Sequence, residues 1–311
     1  GLDEAVNKHI KRGVVVSGTR IEPPLHPDGP EKILYDYGIE PEEFKEQELL
    51  TWLSSSPELT HSKLGKETTE GIFAPWAIYK SDFQKINGHD PLYAPQSKED
   101  SDIFNRFLLA GYDLVQTWEG FVYHMTCRGS RFADGAKRNP DGQVFMKNRE
   151  TDEWLKQNHR STRNFIRKWG HFVKHDALLK PIIPPKYDVG LVVVGCREDI
   201  LYELEPWCSN IYVDSPLVNR YIEKEQSETD FDLKKRVQGL FDKGGNDVTL
   251  EFDAGDFNQE SFNIITSLSE ILLSDKELQE GSFGEFELGI FKITINNLQT
   301  YEGELIVCKK S

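Results

Sequence analysis

The sequence predicts an α/β fold in two domains, residues 1–185 and 186–311. In both stretches, apolar strand-like runs alternate with segments whose apolar residues recur at helical spacing. A hydrophobic content of 38% over 311 residues is enough for two cores of ordinary size. The proline-rich run KPIIPPKYD at 180–188 is the clearest boundary between them.

The first elements are a helix at 2–11 and a strand at 13–18. Five prolines lie within residues 20–44, so this insert is predicted to be extended or turning rather than helical. A helix is predicted over 40–55. The insert is interpreted either as a lid or part of an acceptor site, or as a surface cover for the sheet edge.

Residues 97–112 predict a short amphipathic helix that ends at a left-handed cap on Gly111. Its apolar side chains recur at helical spacing and predict one buried face: Ile103, Phe104, Phe107 and Leu108. Asp102 and Arg106 are placed on the opposite, polar face. Glu99, Asp100 and Asp102 occupy the cap and first turn, where exposed N–H groups and the helix dipole favour ionised carboxylates. On spacing alone, ordinary helix capping is the first interpretation of these residues.

The acidic residues lie between two segments whose order of elements is informative. These segments are GIFAPWAIYKSDFQKINGHDPLY at 71–93 and DLVQTWEGFVYHMTCRGSRF at 113–132. The order of glycine turn, acidic loop, helix, strand and histidine resembles the C-terminal part of a GT-A glycosyltransferase of family 2 type. The matching residues are Asn87 to Asp90, Glu99 to Asp102, Gly111-Tyr112 and His124. The resemblance covers roughly residues 13–170 and is most specific over 86–124.

The resemblance implies inverting transfer of a sugar from a nucleotide-sugar donor to a glycan or other hydroxyl acceptor. Asp100 would be the general base, with Glu99 and Asp102 shaping its loop. His124 would ligate the Mn²⁺ or Mg²⁺ that neutralises the diphosphate leaving group; a strand-end histidine without a role is the alternative.

Further residues are candidates for donor contacts. Arg128 and Arg131 could hold phosphate oxygens through their forked donors, or could be solvated surface charges. Trp76 and Trp118 could stack on a sugar ring, although buried tryptophan is commoner.

The chain departs from the family pattern because the nucleotide-binding half with its Asp-x-Asp pair is absent, and is expected to precede residue 1. Asp230-Phe231-Asp232 has the spacing, but Asp230 is interpreted as a helix cap. We therefore expect a partial, Rossmann-like GT-A domain lacking its N-terminal donor-binding half, which is possibly inactive as this truncated chain. A sheet cut in mid-domain also predicts a homodimer.

Residues 150–180 predict a basic helix with a core stripe of Trp154, Phe165, Ile166, Trp169 and Phe172. Its basic residues Arg160, Arg163, Arg167 and Lys168 could meet an anionic donor, a lipid-phosphate acceptor or the acidic remainder of the protein, the last being the safest interpretation.

The second domain is predicted to hold a mixed sheet with strands at 190–195, 210–214, 247–252, 286–296 and 304–308, and helices around 215–240 and 258–274. Gly195, followed by Asp214, suggests an incomplete nucleotide-binding fingerprint. An accessory domain is the first interpretation; a nucleotide- or S-adenosylmethionine-binding enzyme is the alternative, as is a non-catalytic glycan-binding or interaction protein.

A formal net charge of -15 argues against nucleic acid as a partner, because a protein that binds along a phosphate backbone needs a continuous row of basic residues. No apolar stretch is long enough for a transmembrane segment. The cysteines, Cys127, Cys196, Cys208 and Cys308, are widely spaced, which predicts reduced thiols in a cytoplasmic protein.

Overall fold

The computed structural model describes residues 1–55, 65–125, 136–146 and 150–308. Within these ranges the protein has an α/β fold with two mixed sheets, which confirms the predicted fold class. Arg128, Arg131 and Cys127 lie outside the described residues, so their predicted roles stay predictions.

The first sheet has the strand order β2-β1-β5-β3, with β4 paired to β1. Strands β2 and β5 run parallel to β1, whereas β3 and β4 run antiparallel to their neighbours. The strands are β1 (Val14–Glu22), β2 (Lys32–Leu34), β3 (Thr68–Thr69), β4 (Trp76–Ala77) and β5 (Asp113–Tyr123). A separate antiparallel pair follows, β6 (Lys137–Arg138) and β7 (Val144–Phe145).

A bulge interrupts the pairing of β1 with β5. Ser17 pairs with Gln116 and Thr19 with Phe121, so β5 carries three extra residues. The helix α1 (Leu2–His9) packs on this bulge where both strands carry glycine. A Cβ on Gly18 would lie 2.6 Å from Leu2 Cδ1, and the same atom on Gly120 would lie 2.9 Å from the Ala5 Cβ. The close helix approach therefore requires glycine at both positions.

The second sheet has the order β10-β9-β8-β11-β13-β12. Its first four strands are parallel, and β13 and β12 complete it as an antiparallel hairpin. The strands are β8 (Val189–Val194), β9 (Asn210–Val213), β10 (Val237–Gly239), β11 (Val248–Asp253), β12 (Gly284–Leu288) and β13 (Phe291–Ile295). Its core is continuous with Ile166 of the preceding helical segment.

The remaining helices are α2 (Glu46–Ser55), α3 (Lys80–Lys85), α4 (Glu99–Leu109), α5 (Asp152–Trp169), α6 (Glu198–Leu204), α7 (Ser215–Glu225), α8 (Leu233–Arg236), α9 (Gln259–Thr266), α10 (Leu268–Ser274) and α11 (Lys276–Gln279). Gly111, at φ +76°, and Gly170, at φ +80°, lie just beyond α4 and α5 in the left-handed conformation. The predicted end of α4 at Gly111 is thus confirmed, whereas α5 ends at Trp169, 11 residues before the predicted end at residue 180. Every helix in the described ranges is too short or too polar to traverse a lipid bilayer.

Several local predictions are wrong. Residues 304–308 are not a strand, because a 3-10 turn occupies Glu302–Leu305. Strand β10 lies inside the segment that was predicted to be helical. Asp232, not Asp230, caps the helix, accepting a hydrogen bond from the Lys234 backbone N–H. Phe172 is 46% exposed and does not belong to the core stripe of α5.

The chain runs between the two sheets through residues 170–188. Helix α5 contacts groups on both sides, since Lys168 binds Asp90 and Arg167 binds Glu205. A division into domains at residues 185 and 186 stays a prediction.

Candidate active site

A buried charge cluster lies toward the carboxyl ends of β1 and β5, beside the start of β2. We call it the Glu22 cluster; its members are Arg20, Glu22, Glu31, Lys32 and His124. In open α/β sheets, ligands bind outside the carboxyl ends of parallel strands, so this edge is where a site is expected.

Glu22 is the centre of the cluster, and its side chain has no exposed surface. One carboxylate oxygen lies 2.8 Å from Lys32 Nζ; the other lies 3.0 Å from His124 Nδ1 and 3.4 Å from an Arg20 amino group. Burial by itself would raise the pKa of Glu22, but hydrogen bonds from His124 and Lys32 outweigh it and lower that pKa to about 2. Glu22 is therefore a fixed negative charge at neutral pH.

Arg20 and Lys32 are held by Glu31 as well, whose carboxylate lies 3.7 Å from the Arg20 guanidinium and 3.8 Å from Lys32 Nζ. The Arg20 guanidinium also stacks on Phe73, 3.6 Å from the ring centroid. Two cations and two carboxylates thus balance each other in the buried part of the cluster.

His124 is the exposed end of the cluster, with 44% of its side chain accessible. Because Nδ1 faces an ionised carboxylate, the neutral ring carries its proton on Nδ1 and leaves Nε2 as an unprotonated acceptor. This arrangement of carboxylate, imidazole and open nitrogen is the one that metal-ligating histidines usually show. His124 thus fits the predicted role of metal ligand, although one nitrogen supplies a single position for Mn²⁺ or Mg²⁺.

The acidic loop begins α4, and its backbone is strained. Ser97 and Lys98, at φ +80° and +72°, are consecutive non-glycine residues in the left-handed region. Asn158 of α5 holds them, since its Oδ1 accepts hydrogen bonds from Ser97 Oγ at 2.7 Å and Lys98 Nζ at 2.9 Å. Strain of about 1–3 kcal/mol per residue persists only where surrounding contacts impose it, and it concentrates at functional sites.

Glu99 and Asp100 follow in the first turn, and both are half-buried. One Glu99 carboxylate oxygen, Oε2, is buried without a hydrogen-bond partner among the described residues. The residue before the helix, Lys98, makes no side-chain cap bond. The side chain of the N-cap residue therefore does not cap α4.

Asp102 differs from Asp100 because it is fully buried, as is Arg106. The prediction that both lie on a solvent-facing side of the helix is wrong. The Arg106 Nε–H donates to Asp102 Oδ2 at 2.8 Å, and its amino groups donate to the Ile86 and Gly88 carbonyl oxygens. Arg106 thereby ties the glycine turn at 87–88 to α4, which is why a charged pair belongs in the interior.

The other Asp102 oxygen, Oδ1, lies 2.6 Å from Lys168 Nζ, and accepts hydrogen bonds from Trp169 Nε1 at 2.9 Å and the Tyr93 hydroxyl at 3.3 Å. With both oxygens enclosed, Asp102 has no surface for a substrate. Its contacts join α4 to α5 and to Tyr93, and its predicted role in shaping the loop stays a prediction.

Asp90, Asp102 and Cys308 form the one group of three potential metal ligands found within the described ranges. Lys168 Nζ lies between the two carboxylates, 2.7 Å from Asp90 and 2.6 Å from Asp102. Lys168 and Arg106 together already balance the two carboxylates, so a metal ion would find no net negative charge there. This group holds the glycine turn, the acidic loop and α5 together.

Trp76 is half-buried in β4 and packs against aromatic neighbours; its ring centroid lies 5.3 Å from that of Phe107 and 5.9 Å from that of His89. These contacts are those of a core residue, and its predicted role in donor binding stays a prediction. Trp118 is 1% exposed and donates to Thr69 Oγ1 at 3.1 Å, so it cannot stack on a sugar.

No protein family, curated protein or solved structure matches this chain.

Glu22 and Lys32 were missed at the sequence level. The signal for Glu22 was an acid directly after the buried run VVVSGTRI, a position at a strand end where polar groups meet. Lys32 carried no comparable signal because it lies in the proline-rich insert. Only the parallel pairing of Arg20 with Lys32 brings it to the cluster.

Proposed function

We propose that residues 1–185 are the acceptor-side part of a metal-dependent, inverting glycosyltransferase of GT-A type. Its substrates would be a nucleotide-sugar donor and a glycan or other hydroxyl acceptor. In this proposal His124 holds a divalent cation, and Asp100 takes the proton from the attacking hydroxyl.

The observation that carries the proposal is the pairing of His124 with Glu22. A buried, ionised carboxylate fixes the imidazole so that its free nitrogen faces outward at the carboxyl end of β5. Such a pair has no evident structural purpose, because Lys32 and Arg20 already neutralise Glu22. A bound Mn²⁺ or Mg²⁺ would supply the positive charge that stabilises a leaving diphosphate.

The proposal requires Asp100 and His124 to reach one bound substrate. Asp100 lies at the end of α4 away from the short turn at Ala110–Tyr112 that joins α4 to β5, and His124 lies just beyond the far end of β5. The helix dipole favours the charged form of a carboxylate in a first helical turn, and the charged form is the one that accepts a proton.

Metal binding tests the His124 assignment without needing the substrate. Titration of Mn²⁺, followed by electron paramagnetic resonance, is expected to show binding to the unmodified chain and none to His124→Ala. Glu22→Gln is expected to weaken binding by about 10- to 100-fold, since the ring loses its orienting partner. His175→Ala is the matched control, because His175 is an exposed histidine elsewhere. Equal Mn²⁺ affinity of His124→Ala and His175→Ala would remove His124 from the site.

Catalysis tests Asp100. In a protein that carries residues 1–185 together with a donor-binding half, assayed with a panel of UDP- and GDP-sugars, Asp100→Asn is expected to lower sugar transfer or donor hydrolysis by about 10² or more, as for a general base. Asp152→Asn is the control, because Asp152 is an exposed acid in the first turn of α5. Should the two variants react equally fast, Asp100 is a capping residue.

The second sheet supports a second candidate function, binding of a nucleotide or S-adenosylmethionine. Its parallel strands run in the order β10-β9-β8-β11, so the chain reverses direction across the sheet between β8 and β11. Gly195, at φ +63°, follows β8, and Asp214 and Asp253 end or follow the strands on either side. Stabilisation by S-adenosylmethionine in a thermal-shift assay, lost in Asp214→Asn but not in Asp100→Asn, would favour this function.

A further inference from the structure

We propose that a cleft between α5, α6 and α7 binds a small phosphate-bearing molecule. The cleft encloses about 270 Å³, and we call it the basic cleft. The residues that carry the argument are Lys156, His159, Arg160, Arg163, Tyr202 and Lys224.

Helix α5 supplies one wall of the basic cleft. Lys156, His159, Arg160 and Arg163 are spaced by three or four residues, so they lie along a single side of the helix. Lys224 faces them from α7. A different side of α5, through Gln157, Asn158 and Ser161, holds the loop before Asp100. The basic cleft is thus separate from the site described above.

Arg163 is almost buried in the cleft, with 9% of its side chain exposed. Its amino groups donate to the Tyr202 carbonyl oxygen at 2.5 Å and the Tyr221 hydroxyl at 2.8 Å, and the guanidinium lies 3.7 Å from the Tyr202 ring centroid. Carboxylate oxygens of Glu225 and Glu205 lie 3.5 and 3.6 Å from one amino group, and Nε–H is buried without a hydrogen-bond partner in the described part of the chain. Arg163 thus gives the cleft a positive charge in a fixed position.

The charge around the cleft is positive, in contrast to the acidic chain. Seven basic side chains of the described ranges share four carboxylates, Glu198, Glu205, Glu225 and Glu228. The seven are Lys156, Arg160, Arg163, Arg167, Arg220, Lys224 and Arg236. Glu205 forms ion pairs with Arg167 and Arg236, each at an N–O distance of 2.7 Å. Near the mouth, Glu228 stays 3.9 Å from both Lys156 and Arg160. These two cations are therefore weakly paired and accessible to another anion.

The side chains of the cleft favour phosphate over an aromatic ligand. The Tyr202 ring is already in contact with Arg163, whose guanidinium lies 3.7 Å from the ring centroid, and with His159, whose ring centroid lies 6.0 Å away. Two carboxylates, Glu225 and Glu228, also line the cleft, but cations outnumber them, and the forked guanidinium groups match phosphate oxygens. A phosphate ester or a diphosphate fits both the charge and the volume.

Calorimetric titration of the whole chain with inorganic pyrophosphate at low ionic strength tests the proposal. The double variant Lys156→Glu/Arg160→Glu is expected to weaken binding by about tenfold or more, since two charge-assisted contacts become repulsive. Lys11→Glu/Lys80→Glu changes net charge equally at exposed lysines of another region and is expected to bind as the unmodified chain does. Lys156→Gln, at a largely exposed side chain, gives a variant whose fold is not in question.

Two further measurements distinguish a soluble phosphate compound from a lipid headgroup as the ligand. Competition by inorganic phosphate but not acetate is expected, and vesicles containing phosphatidic acid distinguish a lipid headgroup from a soluble ester. Failure of the unmodified chain to bind pyrophosphate, or equal loss of affinity in both double variants, would overturn the proposal. Neither result bears on Mn²⁺ binding at His124.

Discussion

Asp102 and Glu22 are both fully buried carboxylates that hold a lysine and an arginine, yet their surroundings differ at one point. The partners of Asp102 are Arg106, Lys168, Trp169 and Tyr93, each buried in its turn. The partners of Glu22 include His124, which is 44% exposed. We call the Asp102 network closed, because each of these partners is buried, and the Glu22 network open, because its His124 imidazole is exposed to solvent.

This difference is a way to distinguish an ion pair that only stabilises the fold from one that belongs to a ligand-binding site. Buried charges are costly unless they are paired, so burial and pairing alone indicate nothing about function. In a closed network, all the hydrogen bonds of the buried carboxylate join segments of the chain to one another. A network with one accessible, titratable member can pass its electrostatic effect to a ligand.

Removing the centre of the closed network should have the largest effect. Asp102→Ala leaves Arg106 and Lys168 buried with an unbalanced charge, and breaking such a pair costs about 3–5 kcal/mol. Urea unfolding measures this loss. Asp100→Ala is the neighbouring control, expected to cost less than about 1 kcal/mol because Asp100 is half-buried. Equal losses would mean that Asp100 belongs to the same network.

The contribution of the open network to the free energy of unfolding should decrease at acidic pH. Because the pKa of folded Glu22 is about 2, below the ordinary 4.5, its contribution is complete above about pH 4.5 and is lost as the pH falls toward 2. The shift corresponds to about 3 kcal/mol. Unfolding free energies measured from about pH 6 downward should therefore fall less steeply in Glu22→Gln than in the unmodified chain. Parallel curves for the two proteins would show that Glu22 is not held ionised.

The smallest effect is expected at the exposed end of the open network. His124→Ala removes one hydrogen bond from Glu22 but leaves Lys32 and Arg20 in place, so it should cost about 1 kcal/mol. The shift in thermal midpoint, compared with His175→Ala, measures it. A loss as large as that of Asp102→Ala would make His124 a structural residue and remove the contrast.

The sequence predicted local elements well where one stretch contains its own signal. Gly111 ends α4 because its left-handed conformation, at φ +76°, is cheapest for glycine. The short strand β10 was missed because three residues carry no readable period. The apolar run at 304–308 looked like a strand, but apolar content does not determine hydrogen bonding.

The candidate site was predictable only in part, because its contacts join distant residues. His124 was singled out through the resemblance to a glycosyltransferase, but Glu22 lies 102 positions away and Lys32 is brought in by a parallel pairing. Arg106 was placed on the polar face because the apolar residues of α4 recur at helical spacing on the other one. Its real partners include the carbonyl oxygens of Ile86 and Gly88, 20 and 18 residues earlier, which helical periodicity cannot reveal.

Arg167 and Lys168 are consecutive, but their charges bind opposite flanks of the molecule: Glu205 on one side, Asp90 and Asp102 on the other. Helix α5 consequently connects these two parts of the chain. After proteolytic cleavage within residues 171–188, α5 would stay on the N-terminal fragment with Asp90 and Asp102, and its Arg167 would still pair with Glu205 of the C-terminal fragment. The two fragments should therefore elute together until salt or denaturant breaks that contact.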